Sequence, residues 1–72
     1  MNQTIDNSVE THPNTFLLGE IKTFGPDGPK YEVGDPLYSL ENGDWMMNII
    51  LVETGEKVEY KLSRILQDPF AV

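Results

Sequence analysis

The sequence predicts an all-β domain, a small five-stranded barrel, on three observations. Short apolar runs are separated by Gly- and Pro-containing turns, and no stretch sustains a helical period beyond one turn. The turn pairs Asn42-Gly43 and Thr54-Gly55 divide residues 37–62 into three alternating runs. The chain has 72 residues and no Cys, so it is one domain at most, with no disulfide or thiolate metal site to supplement a modest core.

Residues 1–15 are polar, with only Ile5 and Val9 to bury. Such a segment cannot offset its own ordering entropy, so it is expected to form a disordered arm ahead of a domain at 16–72. The arm carries His12, the sole histidine. Residues 16–24 read as the first strand, with Leu17, Ile21 and Thr23 on one face and Leu18, Glu20, Lys22 and Phe24 on the other. Gly19 marks a bulge or bend within it. In Gly25-Pro26-Asp27-Gly28-Pro29, proline pre-sets φ, Asp27 favours a turn and Gly28 supplies a left-handed position, so the loop reverses the chain. Residues 30–33 form a short second strand with Tyr31 and Val33 on one side, broken by Gly34-Asp35-Pro36.

The meander at 37–62 follows. A two-residue type I′ turn at Asn42-Gly43 sets Leu40 opposite Trp45 and Tyr38 opposite Met47. A two-residue turn at Thr54-Gly55 sets Leu51 opposite Val58, Ile49 opposite Tyr60 and Met47 opposite Leu62. Both turns assign the same buried face, made of Tyr38, Leu40, Trp45, Met47, Ile49, Leu51, Val58, Tyr60 and Leu62. Residues 63–68 are long enough for a single 3₁₀ or helical turn, with Ile65 and Leu66 plugging one end of the barrel. Pro69 and Phe70 add a last short edge strand.

The order Gly34-Asp35, Gly43-Asp44-Trp45, Thr54-Gly55-Glu56, then a turn at residues 63–66, resembles the layout of SH3 domains over roughly residues 30–70. That resemblance implies an SH3-like barrel. The aromatic-rich opening motif of that family is absent from residues 16–24, and Leu62 and Ile65 stand near the positions of its groove-lining proline and tyrosine. Trp45 is the one groove residue that carries over. The segments IKTFGPDGPKYEVGDPL and ETGEKVEY also resemble an uncharacterised family of short bacterial proteins, which implies no particular activity.

Twelve acidic residues against five basic give a formal charge of −7. This disfavours phosphate backbones and anionic membranes and favours a basic protein surface. The start of the chain has no basic and apolar regions of a secretion signal, and no run approaches the ~20 apolar residues of a membrane span, so a cytoplasmic protein is expected. No catalytic residues are assigned. Ser39 and Ser63 have no histidine that the fold would bring near, and Glu53 and Glu56 flank an exposed hairpin tip. No spacing fits zinc, and the run around Asp35, Glu41 and Asp44 does not match an EF-hand loop, so no cofactor or metal is expected. Lys57, Lys61 and Arg64 lie close together, but Glu59 sits between the lysines, so nucleic acid is not the expected partner.

One anomaly bears on function. Met46, Ile50 and Val52 point away from the predicted core, joined by Leu37, where a half-buried sheet ordinarily carries polar residues. Closure of the barrel by the first strand and Phe24, a second copy of the chain, or another protein would each cover them. Trp45 reads as a mostly buried residue or as a binding anchor at the barrel edge. The leading functional expectation is a non-catalytic interaction module that binds another protein or itself through Leu37, Trp45, Met46, Ile50 and Val52. The alternative is an acidic inhibitor that mimics nucleic acid on a basic protein.

Overall fold

The computed structural model describes residues 17–71; the expected arm at residues 1–15 lies outside them. Four antiparallel strands form one open sheet in the order β1-β2-β3-β4: β1 Ile21–Thr23, β2 Lys30–Ser39, β3 Trp45–Leu51 and β4 Lys57–Lys61. A six-residue helix, α1 (Leu62–Gln67), follows β4. The fold is thus mostly β. In place of the expected last edge strand at Pro69 and Phe70, Phe70 makes one antiparallel bridge to Lys22.

Two expected strands are one. β2 runs unbroken through Gly34-Asp35-Pro36, with register shifts between Val33 and Pro36 and again between Pro36 and Tyr38. Bulges absorb the residues that a regular ladder could not place. Gly34 is required here, because a Cβ at this position would fall 2.6 Å from the Asn48 carbonyl oxygen across the ladder.

The two hairpins show why register matters. At the first, Gly43 N–H donates to the Leu40 carbonyl and Leu40 N–H to the Asp44 carbonyl, which closes a three-residue loop. Gly43 has φ +87° while no described non-glycine residue has positive φ, so the type I′ turn is replaced by a longer loop ending on a left-handed glycine. Ser39 therefore faces Trp45, and Tyr38 faces Met46 rather than Met47. This one-residue shift turns Tyr38 out of the core, and Leu40 stays only half-buried. At the second hairpin, Leu51 N–H donates to the Glu56 carbonyl, and the loop has four residues rather than two. Ile49 now faces Val58, and Met47 faces Tyr60. The shift is even, so each residue keeps its face and the predicted buried set on β3 and β4 survives.

The core comprises Leu17, Tyr31, Val33, Met47, Ile49 and Ile65, with Phe24, Trp45, Leu51, Val58, Tyr60 and Leu62 packed against it. The short helix lies on this face through Ile65; Leu66, expected beside it as a plug, is 57% exposed. Phe24, Tyr31 and Tyr60 form a three-ring cluster with centroid separations of 4.5 to 5.5 Å. Asp68 pins the end of α1 to this cluster: its Oδ2 accepts the Tyr31 hydroxyl at 2.8 Å and the Tyr60 hydroxyl at 3.0 Å.

β1 departs most from its expected faces. Lys22 is 2% exposed, its ammonium donating to the Ile65 carbonyl near the C-terminus of α1 and lying 4.6 Å from the Phe70 ring centroid. A cation is favourable at a helix C-terminus and over an aromatic face, which allows a lysine to occupy a core position. In the loop after β1 the left-handed glycine is Gly25, at φ +77°. Gly28 is needed instead for close approach to the Phe24 carbonyl.

Candidate interaction surface

The side of the sheet opposite the helix carries the apolar anomaly seen in the sequence. Met46 and Ile50 share this outer face of β3 and are each half-buried. Glu32 and Lys57 flank Ile50, while Tyr38 and Lys61 flank Met46. Tyr38, expected in the core, is 47% exposed, and its hydroxyl donates to Glu59 Oε1 at 2.9 Å. Because Tyr38 is on β2 and Glu59 on β4, the phenol side chain spans the outer face of β3. The first strand does not cover this face, since β1 pairs with β2 within the same sheet.

The five sequence-predicted residues do not form one compact patch. Leu37 lies at the β2 irregularity, 43% exposed, near the Met46 end of β3. Val52 lies in the β3–β4 loop, 50% exposed, where its N–H donates to the Lys30 carbonyl. Six residues of extended chain separate Met46 from Val52, or about 20 Å. Trp45 is on the opposite, inner face and packs against the core. Of these five, the exposed Leu37 and Val52 thus stand near opposite hairpin ends, with half-buried Met46 and Ile50 between them. Acidic residues stand beside both ends: Asp35 and Glu41 near Leu37, and Glu53 and Glu56 after Val52.

Asp44 organises the Leu37 end. Its Oδ1 accepts the Trp45 N–H at 2.8 Å and the Ser63 N–H at 3.0 Å, and its Oδ2 accepts the Ser63 hydroxyl at 2.6 Å. The N-cap position of α1 is Lys61, whose side chain makes no capping bond. A carboxylate from a distant turn therefore supplies the cap. The Ser63 hydroxyl, aided by both backbone N–H donors, holds the Asp44 carboxyl below its ordinary 3.8. A depressed carboxyl contributes stability above its unfolded pKa and loses that contribution as pH falls through the folded value. Asp44→Ala should melt at a lower temperature than wild type near neutrality, and the gap should narrow below pH 3.8. Circular dichroism melts across that range test this, and a gap independent of pH would refute it.

Among the described residues, no group of three or more His, Cys, Asp or Glu side chains is placed to hold a metal ion. No helix there is long and apolar enough to cross a membrane.

Comparison with known proteins places the chain in a family. The model of a family of unknown function, DUF5397, matches residues 8–72. The chain belongs to this family. An uncharacterized protein of Haemophilus influenzae (strain ATCC 51907 / DSM 11121 / KW20 / Rd) is 47% identical over 53 residues, covering 74% of this chain and 84% of that protein. The expected membership in an uncharacterised bacterial family is thereby shown. Of the two segments that suggested it, the first comprises residues 21–37 and the second residues 53–60. The first spans β1, the proline loop and most of β2, and the second ends within β4. Between them the segments cover most of β2 and β4, the two strands that pair with β3.

Proposed function

We propose that this chain is a non-catalytic protein-interaction module that docks another protein on the outer face of β2 and β3. The observation that carries the reading is the exposure of Tyr38 beside half-buried Met46, on a sheet face that the helix leaves open, with exposed Leu37 at the adjoining irregularity of β2. Apolar side chains gathered on an otherwise charged surface are what docking sites ordinarily expose. Asp35 and Glu41 beside them suit a partner whose apolar contact is rimmed by Lys or Arg, consistent with the net charge of −7. The same reading takes the Phe70 bridge to Lys22 as the vestige of a fifth strand and the sheet as an opened SH3-like barrel.

Leu37→Glu and Tyr38→Ser should each reduce recovery of a partner captured from native lysate by at least about tenfold, while the melting temperature stays within a few degrees of wild type. Unchanged recovery with both variants would remove this face from consideration. A captured partner that is lost at moderate salt and displaced by DNA or RNA would instead favour the nucleic-acid-mimic reading.

A further inference from the structure

The sheet has two outer strands among the described residues, and only one is covered. On β1, Thr23 N–H donates to the Pro69 carbonyl at 3.0 Å and Ala71 N–H to the Ile21 carbonyl at 2.9 Å. Among the described residues, no strand pairs with β4 on its far side. The hydrogen-bond alternation shows which groups it leaves open. Leu51 N–H donates to the Glu56 carbonyl, whereas Val52 N–H donates to the Lys30 carbonyl of β2. Odd-numbered β3 residues thus bond toward β4 and even-numbered ones toward β2. With Ile49 opposite Val58 and Met47 opposite Tyr60, Val58 and Tyr60 take the inward bonds. The backbone groups of Lys57 and Glu59, and the N–H of Lys61, point outward.

We propose that the β4 edge receives an extended segment of a partner protein, added antiparallel as another strand, with acidic, basic and acidic side chains at alternate positions. Main-chain bonding supplies the attachment and the exposed side chains of Lys57, Glu59 and Lys61 supply the selection. Two cations and one anion alternate along this edge, on a chain that is otherwise acidic. Arg64 adds a third cation, lining a cleft of about 310 Å³ with Met46, Glu59, Tyr60 and Lys61. Glu59 already accepts the Tyr38 hydroxyl, so the edge presents a cationic excess at contact range. The net charge of −7 acts over distances that physiological salt screens beyond about 8 Å, so the local pattern decides the fit.

A second copy fits this edge poorly. Antiparallel self-pairing centred on Glu59 would set Lys57 against Lys61 and Glu59 against its own counterpart, which is repulsive in every pair. Moving the centre to Val58 matches Lys57 with Glu59, but sets Lys61 against Gly55, where φ of +76° has already ended the strand. Lysines on an edge strand commonly oppose such self-pairing.

The test uses the full chain and two capped synthetic peptides, one with the core Glu-Val-Lys-Val-Glu and the other with the reversed core Lys-Val-Glu-Val-Lys. At millimolar concentration the first should shift the amide resonances of Lys57, Glu59 and Lys61 and slow their hydrogen exchange. It should bind about tenfold more tightly than the reversed peptide. A Lys57→Glu/Lys61→Glu double variant should exchange the two preferences, a readout that mere loss of folding cannot produce. Silence at these amides with either peptide overturns the proposal, as does equal binding of both. Concentration-dependent dimerisation that protects the same amides without peptide would overturn it in favour of self-pairing. The outcome is independent of the apolar-face reading, because Leu37 and Tyr38 stay intact throughout.

Discussion

Ile65→Ala is expected to lower the unfolding free energy by about 2–5 kcal/mol, the usual cost of truncating a fully buried isoleucine. For a domain of this size, total stability is only about 4–11 kcal/mol, so the variant should be partly or wholly unfolded at 37 °C. Ile65 is the one buried residue of α1 and is wholly inaccessible. The helix has six residues, too few to persist without tertiary contacts. Removing its anchor should also release the Ile65 carbonyl from Lys22 and the Asp68 carboxylate from the tyrosines. Leu66→Ala, one residue along on the exposed side, should change stability by no more than about 0.5 kcal/mol. Urea denaturation followed by Trp45 fluorescence measures both. Equal losses in the two variants would show that the helix does not dock through Ile65.

Asp68→Ala carries the second large effect, a loss of about 2–3 kcal/mol. The substitution removes a charged acceptor shared by two hydroxyls, and the Tyr31 side chain has no route to solvent. Tyr31→Phe should cost less, because it deletes the buried donor along with its bond and leaves Tyr60 on the carboxylate. Combining the two should cost less than their sum, since the orphaned Tyr31 hydroxyl is gone from the double variant. Additive losses would argue against a shared site.

The same cluster predicts an alkaline limit. Burial first, and then the bond to Asp68, raises both tyrosine hydroxyls above their ordinary 10.0. Groups with a raised folded pKa contribute stability that is complete below the unfolded value and is lost as pH rises beyond it. The domain should therefore weaken above pH 10, with tyrosinate absorbance for Tyr31 emerging together with unfolding. Tyrosinate formation from Tyr31 in the folded state would contradict this.

The apolar sites on β3 and β4 were legible because strand alternation has a period of two and needs no knowledge of distant residues. Met47, Ile49, Val58 and Tyr60 fell on the buried face even though the second turn is two residues longer than expected, since an even shift preserves parity. Tyr38 was misplaced for the same reason inverted: a one-residue lengthening of the first loop flips the face, and Asn42-Gly43 suits either loop. Met46 and Ile50 were correctly read as outward-facing, whereas their separation from Trp45 and Val52 became visible only with the strands in place.

By itself, then, the sequence determined the mostly-β class, the turn positions, the site of the helix after β4 and the faces of the central strand. All of these depend on residues within a few positions of one another. Tertiary structure alone decided that β2 continues through Pro36, that Lys22 is buried and that Asp44 and Asp68 hold the two ends of α1. Those contacts join residues 19 to 43 positions apart. A lysine or aspartate carries no local mark of a partner that far away, because burial becomes tolerable only when the chain brings a carbonyl, a ring or a hydroxyl to meet it.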